Sequence, residues 1–185
     1  MILIEMTVPK ISIRDIAYIA VFTALMAVCS WISIPTAIPF TLQTMGVFLA
    51  VGLLGGKRGT IAVLAFILLA AVGAPVLSGF HGGLSALLGM TGGYIVGFLF
   101  SALAMWGVER VWGRGLIVLG ASMVLGLLVC YAFGTAWFMV VYARDAGAIT
   151  LGAALTACVV PYILPDLVKI ALALAITARL RPHVR

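Results

Sequence analysis

Asp166 and Lys169 stand three positions apart in an otherwise apolar stretch, Tyr162-Ile-Leu-Pro-Asp-Leu-Val-Lys-Ile-Ala. Charges inside such stretches are costly to bury and therefore point to function. On a helix the spacing puts both side chains on one face, where Lys169 could bind an anionic group and Asp166 could accept N–H donors. Counted from Pro161 at ~1.5 Å per residue, they lie roughly 8 to 12 Å below the outer end of their helix, a depth suited to a pocket that opens outward. The same pair could instead be an internal ion pair locking a helix bundle, or an aspartate placed in a helix first turn behind Pro165. We favour the ligand-facing reading.

Other residues add to a pocket or fail to make a catalytic centre. Phe40, Gln43, Tyr94, Tyr131, Trp137 and Tyr162 fall near the same predicted side and could supply an apolar wall with a few hydrogen-bonding groups; they could equally form an interfacial aromatic belt. His81 and His183 build no HExxH motif and no metal-ligand cluster, so neither a metal nor a cofactor is expected. Ser78 or Ser85 beside His81 would make an intramembrane hydrolase pair, but neither serine sits in GxSxG and no buried acid is in view to orient the histidine. Gly52-Leu-Leu-Gly-Gly-Lys57-Arg58 lacks the glycine placement and the hydroxyl residue of a phosphate loop, so any use of ATP must come from a partner. Cys29, Cys130 and Cys158 are far apart and surrounded by apolar residues, which argues for core thiols rather than a disulfide framework. Ala20 and Ala24, with Ala17 and Ala27 on nearby turns, form a small-residue face that could receive a partner helix or pack within the same bundle.

The elements that must position these residues follow from composition. Of 185 residues, 65% are hydrophobic and 9% charged, with a mean hydropathy of +1.31. A water-soluble domain carries about 25% charged residues, so this is an all-α integral membrane chain forming a single transmembrane domain over 1–185. The net charge of +6 comes from dispersed basic residues, which excludes a nucleic-acid stripe. Charges are missing from Ile16 to Gly56, from Gly59 to Val108 and from Gly115 to Ala143. Pro35 and Pro39 divide the first run, and a set of glycines with Pro75 divides the second, giving spans near 13–33, 42–55, 59–73, 91–108, 115–142 and 162–180. The second and third are shorter than the ~20 residues of an ordinary crossing and need help from adjacent loops. The apolar run after Lys10 and Arg14 is kept as the first span rather than as a signal peptide, because no small-residue cleavage pattern follows it.

Six spans with both termini cytoplasmic put Lys10, Arg14, Lys57, Arg58, Arg110, Arg114, Arg179, Arg181 and Arg185 inside and only Arg144 outside, nine against one. That asymmetry follows the positive-inside rule and describes a multi-pass protein of a prokaryotic cell membrane in contact with lipid. The outer loops would be 34–41, 74–90 and 143–161, the middle one long and glycine-rich enough to act as a lid.

Four motifs occur in order: Pro39-Phe-Thr-Leu-Gln-Thr44; Gly82-Gly-Leu with Leu88-Gly-Met-Thr-Gly-Gly-Tyr94 and Gly97-Phe98; Tyr131-x-x-Gly134-x-x-Trp137; and Pro165-Asp-Leu-Val-Lys169. Over nearly its whole length the chain resembles the BioY family, the biotin-specific substrate-capture (S) components of energy-coupling factor (ECF) transporters. The resemblance implies a six-helix bundle with an outward biotin pocket gated by the loops between helices 1 and 2 and between helices 3 and 4. It implies ligand contacts from Asp166, Lys169, Tyr94, Gly93 and Gln43; Phe40, Thr41, Tyr131, Trp137 and His81 are counted beside them as candidate pocket residues, although His81 stands in the lid where the family is expected to carry a small or amide residue. It makes Ala20 and Ala24 the docking face for a transmembrane coupling subunit, which works with ATP-binding cassette ATPases and releases ligand by tilting the bundle. Met90 stands where the family usually has proline, and Pro165 where it usually has glycine. An S component for thiamine or riboflavin would share the bundle and the alanine face, and an intramembrane enzyme is the reading from a different class. A homo-oligomer is left open.

Overall fold

The computed structural model of the chain describes residues 12–34 and 39–183; Lys10, Pro35 and Arg185 lie outside them. Helix α1 spans Ile13–Trp31 and starts with a reciprocal capping box, the Ser12 hydroxyl accepting from the Asp15 N–H while Asp15 accepts from the Ser12 N–H. A two-residue hairpin, β1 (Ser33–Ile34) and β2 (Phe40–Thr41), pairs Ser33 with Thr41 and Ile34 with Phe40 and returns the chain into α2, Gln43–Leu54. Gly55, at φ 86°, turns α2 directly into α3, Gly56–Ala71. That left-handed conformation is open to glycine and strained for other residues.

Beyond α3 the chain forms a 3₁₀ turn (Ser78–Phe80), the short α4 (Leu84–Leu88) and the long α5 (Gly92–Trp112) and α6 (Leu116–Asp145). Next come α7 (Leu151–Cys158), capped by the Thr150 hydroxyl, and α8 (Val160–Leu180). Pro161 sits in the first turn of α8, where its missing N–H is harmless; Pro165 lies inside the helix, one residue before Asp166. Among the described residues four helices, α1, α5, α6 and α8 with its 3₁₀ extension, are long and apolar enough to cross a membrane.

Two sequence expectations need correction. The stretch 143–161 is not a plain connector, since α6 continues to Asp145 and α7 fills most of the remainder. Arg144 consequently belongs to the last turn of α6, where it is paired with its neighbour Asp145 at 2.7 Å.

The two ends of the bundle differ. At one end Arg58 bridges Asp15 at 3.2 Å, the Glu109 carboxylate accepts from the Gly56 N–H at 2.7 Å, Arg114 pairs with Glu109 at 3.4 Å and Arg181 donates to the Arg114 carbonyl. This polar network joins α1, α3, α5, the start of α6 and the tail of α8. At the other end the loops are pinned by tryptophans: Trp31 donates to the Pro75 carbonyl at 2.9 Å and stacks on Phe80, while Trp137 donates to the Gly89 carbonyl at 3.0 Å. Between the ends, Met26, Phe48, Phe66, Met105 and Met123 are fully buried. Outward faces carry bare apolar side chains such as Ile117, Val140 and Leu164, each more than 70% exposed, as expected of a surface that meets hydrocarbon rather than water.

Candidate functional site

At the tryptophan-pinned end a cavity of about 480 Å³ opens between α2, the 3₁₀ turn, α4, α5, α6 and α8. Its size lies in the range of small-molecule sites. Asp166 and Lys169 line it from α8 at 3% and 5% exposure. Lys169 Nζ donates to Asp166 Oδ1 at 2.7 Å and to Thr44 Oγ1 at 3.2 Å, the Thr44 hydroxyl donates to Asp166 Oδ1 at 3.1 Å, and the Tyr131 hydroxyl donates to Asp166 Oδ2 at 2.5 Å. Lys169 Nζ also stands 4.2 Å from the centre of the Phe40 ring, a cation–π placement. Three elements thus supply one polar cluster: α2 the threonine, α6 the tyrosine and α8 the ion pair.

Asp166 and Lys169 cancel in charge, which makes the buried end of the cavity polar and formally neutral. Gln43 lies beside them, also 5% exposed, and its amide nitrogen has no hydrogen-bond partner among the described residues. A buried donor left unpaired costs about 1–3 kcal/mol, so this amide is suited to a ligand acceptor. Tyr94 faces the cavity from α5, its hydroxyl 3.0 Å from that of Thr135. Ile95, Phe98, Leu77 and Ala86 supply apolar wall, and His81, Ser78 and Ser85 lie toward the open side.

Of the residues singled out in the sequence, Asp166, Lys169, Tyr94, Gln43, Thr41, Tyr131, Tyr162 and His81 line this cavity. Phe40, Gly93 and Trp137 adjoin the residues that do. Phe40 backs Lys169 and stacks on Tyr162 with centroids 6.4 Å apart. Gly93 lets α5 approach α6 so closely that an added Cβ would fall inside the Trp137 side chain, and the Tyr94 ring fills the matching space over Gly134. Gly93→Ala is therefore expected to destabilise the fold by about 1–3 kcal/mol through overpacking, read as a lowered thermal unfolding midpoint in detergent.

Thr44 carried no individual signal in the sequence beyond its place in the first motif, yet it is the only residue besides Tyr131 that donates to the buried carboxylate from another helix among the described residues. Cys130 and Cys158 also line the cavity, Cys130 donating to the Tyr94 carbonyl. On α1 the small face divides. Ala17, Ala20 and Ala24 point outward and are exposed, whereas Ala27 is buried in the core.

Residues 6–185 match the family model described as the BioY family. The chain is 38% identical over 169 residues to the biotin transporter BioY of Thermotoga maritima, covering 91% of this chain and 96% of that protein. It is 36% identical over 169 residues to the biotin transporter BioY of Rhodobacter capsulatus, covering 85% and 87%. A crystal structure of the S component for biotin from an ECF-type ABC transporter superposes with a TM-score of 0.81 at 31% identity, covering 91% of both chains.

Proposed function

The chain belongs to the BioY family, and from that premise we propose that its cavity captures biotin for uptake as the substrate-binding S component of an ECF-type transporter. The observation that carries this reading is the buried, formally neutral cluster of Asp166, Lys169, Thr44 and Tyr131 with the unpartnered Gln43 amide at its side. Biotin has a ureido group with two N–H donors and one carbonyl, an apolar thiophane ring and a carboxylate tail. Asp166 accepts from a ureido N–H, while Lys169 and the Gln43 amide nitrogen donate to the ureido carbonyl. The ring packs against Tyr94, Ile95 and Phe98. Neutral donors and acceptors meet a neutral floor, so no net charge is desolvated on entry.

The basic end, with Arg14, Lys57, Arg58, Arg110, Arg114, Arg179 and Arg181, faces the cytoplasm, and the cavity opens outward. In this reading six helices cross the membrane: α1, α2, α3, α5, α6 and α8. At about 1.5 Å per residue, α2 and α3 fall short of the ~30 Å hydrocarbon layer. The β1–β2 hairpin and the lid loops complete their crossings. The membrane is the prokaryotic cell membrane. Exposed Ala20 and Ala24 receive the transmembrane coupling subunit, which brings the ATPases. The chain itself catalyses no reaction.

Equilibrium binding to the detergent-purified chain tests the ligand. Saturable biotin binding that excess thiamine and riboflavin fail to displace is the expected result. Saturable binding of thiamine or riboflavin, with no binding of biotin, would move the assignment to another vitamin.

A further inference from the structure

Asp166 and Lys169 neutralise one another at the buried end, so that end offers no uncompensated positive charge to a carboxylate. A ligand bearing one carboxylate beside a neutral polar head is best accommodated with the head inward and the carboxylate toward the mouth, where solvent and any unpaired base can stabilise it. His81 is exposed, lines the cavity and makes no ion pair among the described residues.

Its backbone is held firmly. The Leu77 N–H donates to the His81 carbonyl at 3.0 Å, the Phe80 N–H to the Leu77 carbonyl at 3.1 Å, and the turn passes through two left-handed residues, Gly79 at φ 70° and Phe80 at φ 59°. A non-glycine residue in that conformation persists only where its surroundings enforce it. Here Phe80 stacks on Trp31 with centroids 5.1 Å apart, and Trp31 is itself tied to Pro75. The imidazole edge rests on Gly79, whose lack of a side chain leaves it room.

We propose that His81 is a specificity residue that pairs with the ligand carboxylate at the cavity mouth, making capture tighter in mildly acidic surroundings. The proposal rests on the biotin reading given above. Free histidine titrates near about 6.5 and a carboxyl near about 4.3, so between those values both partners carry charge. A neutral imidazole offers a carboxylate no such attraction. The other ionisable groups lining the cavity are Asp166, Lys169 and Tyr162 on α8, Tyr94 on α5, Cys130 and Tyr131 on α6 and Cys158 on α7. From α1, which packs against the turn, Trp31 is the facing side chain and the ionisable Cys29 is buried.

The test compares biotin affinity at about pH 5.5 and 7.5 for the wild-type chain and for His81→Asn, and repeats it with biotinamide, which has no ionisable tail. The wild type should bind biotin about three- to five-fold more tightly at the lower pH, as expected of a partly exposed pair. That preference should vanish in His81→Asn and with biotinamide. A pH effect that survives either change would belong to Asp166, Lys169 or the fold as a whole and would overturn the assignment to His81, as would pH-independent binding of biotin by the wild type. Absence of biotin binding at both pH values would instead remove the vitamin reading itself, together with this inference.

Discussion

Lys169→Ala and Asp166→Asn are each expected to weaken biotin binding by about a hundredfold, the largest effect of any single substitution in the cavity. Each removes a charged hydrogen-bonding group worth about 1.5–3 kcal/mol to the ligand and disturbs its neighbours. Without Lys169 the carboxylate keeps Thr44 and Tyr131 but loses its counter-ion; without the charge on Asp166 the ammonium is left buried beside neutral oxygens. Breaking one partner of a buried pair typically destabilises by about 3–5 kcal/mol, so unfolding midpoints should fall as well. A double change, Asp166→Leu with Lys169→Met, separates the two roles, because a well-packed apolar pair can replace a buried ion pair with little loss of stability. It should recover much of the unfolding midpoint and none of the affinity. Recovery of both by the double variant would mean that the pair only locks α8 into the bundle.

Changing Ala20 and Ala24 together to leucine should abolish uptake of biotin in cells that contain the coupling subunit and ATPases, while leaving binding by the purified chain within about twofold of wild type. Both alanines are exposed on α1, turned away from the side that carries the buried Phe22, Met26 and Cys29, so larger side chains create no clash within the bundle. They would hold a partner helix away from a face whose small side chains allow close approach. Measurement of radiolabelled uptake beside equilibrium binding separates the two effects. Uptake that is unchanged in the double variant would move the docking surface elsewhere.

The buried charges were legible in the sequence for a simple reason: an aspartate and a lysine in an apolar helix have few neutral explanations. Thr44 was not, because a threonine among apolar residues is unremarkable until α2 and α8 are seen side by side. The alanine stripe illustrates a limit of spacing. It could not distinguish a partner face from internal packing, and the structure divides the stripe along its length, leaving Ala20 and Ala24 exposed and burying Ala27. Phe40 and Trp137 were expected as aromatic wall and Gly93 through the resemblance; in the structure Phe40 stands against Lys169 and Gly93 sets the approach of α5 to the Trp137 side chain. Helix α7 was missed because its eight residues, mostly small and interrupted by Gly152 and Thr156, carry too little periodicity to be separated from a loop. The end of α6 was misjudged because Arg144 and Asp145 look like an interfacial loop in sequence, whereas they satisfy each other on a helical turn.

The bond from Lys169 to Thr44 closes a loop of 125 residues. A chain made from its N-terminus inserts α2 long before α8 exists, so half of the polar cluster must wait in lipid without its counterpart. The binding site is then among the last parts of the protein to form during biogenesis, and it forms by the docking of the final helix. A small molecule that recognises only the completed cluster favours the docked arrangement by mass action. Bound cargo would then stabilise the docked position of the final helix as well as occupy the cavity.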